Sequence, residues 1–471
     1  MASPPALSRH AAAGLRGVLR ELLRLAGAVL AGQLALVGFA VADTWMLGRG
    51  HDTLGLATLS LGQAVYMTTY LSLAGVTQAL LPALGHEAGA ARPQALAAGL
   101  RQGLWLAAGL AVPGCALLLW PQGLLRLAGG ADAGLPLHYL RWLALGLPAA
   151  LLFRVHVAFC QAVGRPMLVT LPQGWGLACK LLLNALLVAP AEFGLHGLPR
   201  LGVVGCAAAT TLTQWLLLLV ACLQHRRDPA LRALGVLRRF DPPDMARLRD
   251  LLRLGLPIGA SVLVDVSSFT FMALFIARTG TVQLAAQQIA ANVGAVLYML
   301  PLSLSIATAS VVARRLGSGL RAEAAQAAWI GVGTAAALSA AAAAALWLLR
   351  EPVARGYASD PRVAAVAARL LALVAAYQVF DAVQACAAFA LRSWHIALLP
   401  GAIYALALWG VGLAGGCVLG LGLGGFAPAA LRGAAGFWAA YCAGLALAAA
   451  AIGALLWRTT RGARPADRLI G

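Results

Sequence analysis

Apolar residues run almost from end to end of this chain, interrupted by short polar stretches rich in arginine. A helix that crosses a bilayer needs about 20 consecutive, mainly apolar residues. Such runs predict helices over 26–48, 54–83, 95–120, 136–160, 167–189 and 201–223, then over 252–277, 284–312, 323–349, 364–390, 396–424 and 433–457. No cleavable leader pattern precedes the first run, which therefore reads as a span. The one long polar stretch covers 225–250, and Asp241-Pro242-Pro243 within it stops any helix, because proline lacks an amide donor and clashes with the preceding turn. The expected organisation is a tail (1–24), an N-lobe of six helices (25–224), a linker (225–250), a C-lobe of six helices (251–457) and a tail (458–471).

An internal repeat supports that division. Glu21-Leu22-Leu23-Arg24-Leu25 returns as Asp250-Leu251-Leu252-Arg253-Leu254, 229 positions later. Tyr66-Met67 returns as Tyr298-Met299 and Leu84-Gly85 as Leu316-Gly317, each 232 positions later, with a weaker echo of Ala158-Phe159 in Ala388-Phe389. Six spans per half make both copies enter the membrane in the same direction, a parallel repeat about an axis along the membrane normal. Transporters of that plan hold their substrate between the halves. The fold class expected is an all-α membrane protein of about twelve transmembrane helices in two pseudo-symmetric six-helix lobes.

Composition narrows the class. With 61% hydrophobic and 11% charged residues, the chain is far from the roughly half apolar and quarter charged make-up of soluble domains. The net charge of +19 invites a nucleic-acid reading, but its distribution argues against one. The arginines gather at the N-terminal tail (Arg9, Arg16, Arg20, Arg24), the linker (Arg226, Arg227, Arg232, Arg238, Arg239, Arg247, Arg249), one turn (Arg314, Arg315, Arg321) and the C-terminal tail (Arg458, Arg461, Arg464, Arg468). An even helix count on each side of the linker puts all four clusters on one face, as the positive-inside rule requires. Both termini and the linker are then cytoplasmic, in a bacterial inner membrane. The eight cysteines are scattered singly, without metal or redox spacing, and read as packing residues.

Of the 16 acidic residues, three fall inside predicted spans: Asp43, Asp265 and Asp381. A carboxylate at mid-bilayer costs at least about 2.5 kcal/mol and survives where it faces a cavity or a partner. Asp265 follows Pro257 in the seventh span, and Asp381 lies in the tenth, one turn after Tyr377. Two carboxylates on different helices of one half can share a sodium ion or a proton; the bland alternative is structural pairing. The only lysine, Lys180, lies in the fifth span one turn before Asn184. Spans one and five run outward, which puts Asp43, Lys180 and Asn184 in the outer half. An ion pair with Asp43 and a lysine reaching into a watery cavity are both open from the sequence.

Motifs around these residues carry a resemblance. Asp43-Thr44-Trp45-Met46-Leu47-Gly48, Gly255-Leu256-Pro257-Ile258 followed by Asp265, Leu284-Ala285-Ala286-Gln287-Gln288-Ile289-Ala290 with Asn292, Ala375-Ala376-Tyr377-Gln378 with Asp381 and Gln384, and Leu201-Gly202 with Gly205-Cys206-Ala207 and Thr210 occur in family order. Over roughly 20–460 the chain resembles the MATE (multidrug and toxic-compound extrusion) transporters of the NorM-like branch. The resemblance implies a two-lobe bundle that exports organic cations or amphiphilic drugs in exchange for Na+ or H+. It implies a C-lobe cation site at Asp265, Tyr377 and Asp381, open to Na+ at the two aspartates, and an N-lobe polar site at Asp43, Asn184 and Thr210. Gln287, Gln288, Asn292, Gln378 and Gln384 become candidate cavity residues, and Trp175, Trp215, Phe269, Phe271 and Tyr298 candidate stacking partners for flat cations. No cofactor beyond the coupling ion is expected, and the partners are small organic cations and the bilayer, with the chain a monomer.

Three positions depart from the family pattern. The seventh-helix acid is Asp265 rather than Glu, the first-helix proline is Ala28, and the small polar residue usual one turn before Asn184 is Lys180. The last implies that a tethered ammonium fills an N-lobe cation site, leaving coupling to Asp265 and Asp381. A lipid flippase of similar plan is the alternative, but it favours a cavity rich in arginine, and the mid-membrane charges here are mainly acidic. An enzyme is disfavoured: the eight histidines are dispersed with no metal or phosphate motif, and His156 reads as a packed histidine.

Overall fold

Helices begin where apolar periodicity begins, and the first begins earlier than its hydropathy suggests. In the computed structural model, which describes residues 14–49, 53–122, 134–188, 190, 200–236, 241–423, 428 and 431–462, the first helix starts at Leu15 rather than at 26. Val18, Leu22, Leu25 and Ala26 are buried along one stripe of it while Arg16, Arg20 and Arg24 stay on the outside. An amphipathic stripe of this kind buries one face whatever the mean hydropathy. Of the expected tail, linker and loop charges, Arg9, Asp52, Asp132, Glu192, Arg238, Arg239, Arg464, Asp467 and Arg468 lie outside the described residues.

Among the described residues, twelve helical segments of at least 21 residues follow in chain order: α1 (Leu15–Arg49), α2 (Thr53–Thr77), α3 (Pro93–Leu119), α4 (Gly134–Ala162), α5 (Met167–Leu187), α6 (Gly202–Arg227), α7 (Met245–Ala277), α8 (Thr281–Gly317), α9 (Arg321–Tyr357), α10 (Pro361–Ser393), α11 (Leu398–Gly420) and α12 (Ala434–Arg461). There is no strand among the described residues. Ten of the twelve are long and apolar enough to cross a membrane. The other two, α2 and α5, carry polar residues inside their spans, among them Gln63, Thr68 and Thr69 in α2 and Gln173, Lys180 and Asn184 in α5. The stretch predicted as one helix over 54–83 breaks after Thr77, and a short helix, Leu80–Gly89, follows.

Contacts divide the chain into two units. Among the described residues, one is Ala31–Gly259; the other joins 14–30 with those from Ala260 onward. The beginnings of α1 and α7 are thus exchanged: each packs in the unit that does not contain the rest of its helix.

In the first unit, α4 and α6 pack through small residues, as membrane helices do when van der Waals contact replaces the hydrophobic drive. Thr211 donates to the Trp142 carbonyl (2.7 Å) and Trp215 to the Leu145 carbonyl (3.1 Å). At the start of α6, Gly205 lies against the end of α5, where a Cβ would stand 2.5 Å from the Leu187 carbonyl oxygen. Gly205→Ala is therefore expected to lower the thermal midpoint of the purified protein, at an overpacking cost of about 1–3 kcal/mol. Gly109→Ala, which meets nothing within 4 Å, is the control and should not. Equal midpoints for the two would refute this contact. The linker is held as well: Asp241 pairs with Arg101, its carbonyl accepts from Trp105 (3.0 Å), and Gln102 donates to the Pro242 carbonyl (3.0 Å) while accepting from the Asp244 amide (2.9 Å).

In the second unit, α10 packs on α8, α9 and α12 through alanines and small side chains, including Ala382, Cys386, Ala387 and Ala390 against Ala307, Val311, Ala324 and Ala328. Glu21, at the start of α1, ties to Arg314 (2.7 Å) and Arg315 (3.5 Å) of α8. A second core gathers Tyr377, Phe437, Trp438 and Tyr441. Within α11, residues Leu406–Ala414 form a π-helical stretch; such wider turns are rare and recur at functional sites.

Candidate functional site

Polar residues converge at one place in each unit. In the first, Lys180 and Asn184 stand one turn apart on α5, a spacing that puts both on one helix face, and that face meets Asp43 of α1. The Lys180 ammonium lies 3.0 Å from the Asp43 carboxylate and also donates to the Thr210 hydroxyl of α6. Asn184 donates to that same carboxylate oxygen, Oδ1, at 2.8 Å, while the ammonium also donates to Oδ2 at 3.1 Å. Thr210 passes its own proton to the Cys206 carbonyl (2.9 Å), and the Phe39 ring centroid lies 5.7 Å from the ammonium. Lys180 and Asn184 are fully buried and Asp43 is 5% exposed, so the ammonium sits inside an ion pair rather than at a surface. Desolvating two opposite charges is tolerable only with such pairing and added hydrogen bonds. The site is neutral and closed.

The second unit differs in the one respect that matters. Asp265 of α7 and Asp381 of α10 lie within Coulombic reach of each other. Tyr404 of α11 donates to Asp265 at 2.7 Å. Tyr298 and Tyr377 also stand within electrostatic reach of both carboxylates. Among the described residues no lysine or arginine pairs with either aspartate, and Asp381, 4% exposed, accepts no hydrogen bond. The buried Gln378, one turn before it, has neither amide atom partnered. Carboxylates and phenol hydroxyls form an all-oxygen donor set, the kind that hard cations take. No group of three His, Cys, Asp or Glu side chains positioned to hold a metal ion occurs among the described residues.

The remaining candidates spread out. Gln287 is buried and accepts from the Trp438 indole (2.5 Å), whereas Gln288 and Asn292 are exposed and Gln384 is buried. Phe269 joins an aromatic cluster, 6.3 Å from Tyr377, 6.1 Å from Trp438 and 5.6 Å from Tyr441 between ring centroids. Phe271 packs edge-on against Trp409, Trp175 is exposed, and Trp215 is spent on its backbone bond to α4. His156 is buried and hydrogen bonded to Gln224 (3.0 Å) and His225 (3.3 Å). Tyr404 is the candidate site residue that the sequence reading did not select. It is neutral, so a search for intramembrane charge passes over it; its one signal is that it is the only tyrosine of α11.

Outside the spans, Arg165 pairs with Asp228 at 2.9 Å and holds that carboxyl below its ordinary value of 3.8, while the same carboxylate caps the short helix Pro229–Ala233. A depressed folded value means that this contribution to stability is whole above 3.8 and is lost as pH falls below it.

Comparison with known proteins gives the same outline. A family model, MatE, matches residues 28–186 and 257–418. The chain is similar to a probable multidrug resistance protein NorM of Aromatoleum aromaticum, 39% identical over 396 residues that cover 81% of each chain. It is similar to the multidrug resistance protein PmpM of Pseudomonas aeruginosa, 33% identical over 396 residues, covering 83% of this chain and 81% of that one. Among solved structures it is similar to the eukaryotic MATE transporter AtDTX14, with a TM-score of 0.82 at 20% identity, covering 96% of this chain and 99% of that chain. That last likeness speaks for the fold alone.

Proposed function

The chain belongs to the MatE family, and on that premise we propose that it is a secondary active multidrug exporter that expels organic cations and amphiphilic drugs in exchange for Na+ or H+, with the coupling ion held by Asp265 and Asp381. It is a transporter, not an enzyme. One contrast supports the coupling assignment: the acidic site of the first unit already holds a cation, the Lys180 ammonium, whereas the two aspartates of the second have none among the described residues. An ion that enters and leaves needs a site whose neutralising charge is not tethered. Tyr377 and Tyr404 supply hydroxyl oxygens around it, and Phe269 and Trp438 supply ring faces nearby that suit flat cationic cargo. The arginine distribution supports a multi-pass chain in a bacterial inner membrane with both termini and the linker cytoplasmic, and the working unit in this reading is the monomer.

Ethidium export from efflux-deficient bacteria expressing the chain tests this reading. Separate outward pulses of Na+ and of acid identify the ion, since only the coupled one accelerates export. Absence of export under both pulses would falsify the exporter assignment. Within this reading Tyr404→Phe keeps the ring and removes the donor to Asp265. A hydrogen bond to a charged group contributes about 1.5–3 kcal/mol, so the ion concentration for half-maximal export should move by about tenfold or more. An unmoved ion dependence would reduce Tyr404 to packing.

A further inference from the structure

A cavity of about 480 Å³ opens in the second unit between the first turns of α9 and the last turn of α12, and none of its lining residues belongs to the aspartate site. Its walls are Ala325, Ile330 and the rings of Trp329 and Trp457, and its polar lining is Gln326, Thr460 and Arg461. Both rings are fixed. The Trp329 indole donates to the Thr460 hydroxyl at 3.2 Å, and the Arg461 guanidinium stacks on Trp457, 3.5 Å from its centroid. Neither tryptophan is fully covered, at 38% and 43% exposure. The space is therefore amphiphilic, an apolar and aromatic trough with a cationic side chain in its lining.

Depth and charge narrow what fits it. The apolar run of α12 from Ala434 to Trp457 is about 36 Å long at 1.5 Å per residue, which sets Trp457 at the membrane–water boundary, where indole rings concentrate. Arg458 and Arg461 end α12 and Arg321 begins α9 at the same level, and among the described residues none of the three pairs with an acid. Glu323, the acidic residue of that first turn of α9, does not line the cavity. Organic cations are repelled here. A soluble anion leaves the trough unused, and a zwitterionic lipid brings its ammonium toward three arginines. We propose that this groove binds an anionic phospholipid of the leaflet at which α9 begins and α12 ends, with the phosphate on Arg461 and the Gln326 amide and an acyl chain along Trp329, Trp457 and Ile330. The assignment goes beyond the coupling mechanism and does not depend on it.

Native mass spectrometry of the full chain, equilibrated with equal amounts of phosphatidylglycerol and phosphatidylethanolamine, tests it. The protein should retain phosphatidylglycerol in preference. An arginine near a membrane surface is worth a factor of about five in anionic lipid binding, so Arg461→Gln should lose about fivefold while Arg461→Lys retains most of the preference. Arg355→Gln, at the far end of α9 with its side chain 75% exposed, should change nothing. Should phosphatidylethanolamine be held as well, or Arg461→Gln and Arg355→Gln behave alike, the proposal is overturned. A doubled mass with no added lipid would mean that a second copy of the chain covers the groove, and overturns it equally.

Discussion

Asp381→Asn is expected to abolish ion-driven export while leaving the protein as stable as before or more so. The two halves of that expectation come from the same observation. A buried carboxylate that accepts no hydrogen bond among the described residues loses none when it becomes a carboxamide of nearly the same shape. The cost of holding a negative charge in the membrane, at least about 2.5 kcal/mol, disappears with the charge. What also disappears is the group that takes up a cation or a proton on one side and gives it up on the other. Asp265→Asn should behave likewise: it too removes a carboxylate of the pair, so export is lost, while its remaining oxygen can still accept from Tyr404, so the fold is kept. Ethidium efflux under the driving ion pulse and the thermal midpoint of the same preparations are the two readouts. Export persisting in both variants would move the coupling site away from the second unit. Lost export with a collapsed midpoint would make the aspartates structural.

Lys180 carries the second large effect. Removing one partner of a buried ion pair leaves the other charged and unsolvated, at a cost of about 3–5 kcal/mol, a large part of a typical total of about 5–15 kcal/mol. Lys180→Met should therefore express poorly, and Asp43→Asn added to it should restore expression, because both charges then vanish together. Lys180→Asn separates structure from function. It leaves Asp43 facing a small polar residue, with Asn184 still donating to it, so the vacated space is a cation site. Added Na+ should raise the thermal midpoint of Lys180→Asn well beyond its effect on the parent, and the ion dependence of export should change. If Lys180→Asn exports with the parent's ion dependence, the ammonium is not standing in for a transported cation.

Much of this architecture is written locally. Runs of about twenty apolar residues and a proline-broken polar stretch set the helices, and intramembrane charges single out Asp43, Lys180, Asp265 and Asp381 because each is costly where it stands. What is not local is harder to read. The linker looks like a plain polar connector, yet Arg101, Gln102 and Trp105 hold it from 136 to 142 positions away, and no window of hydropathy registers such pairing. The start of α1 looks like a tail because its arginines dilute the stripe of Val18 and Leu22. The π-helical stretch of α11 has the composition of an ordinary apolar helix, so the turn that follows Tyr404 left no trace in the pattern. Asp43 and Lys180 could be suspected of pairing, but the choice between a pair and a watery cavity is made by helix rotation, which the sequence does not carry.

The burial of Lys180 also has a chemical consequence. It is the only lysine of 471 residues, and it is wholly enclosed. The folded chain therefore presents no side-chain amine to acylating or alkylating reagents, and its surface, however basic, is a guanidinium surface. Any amine label that does reach residue 180 reports a moment when the first unit has opened to solvent. Lys180 is thus a built-in side-chain reporter of that opening.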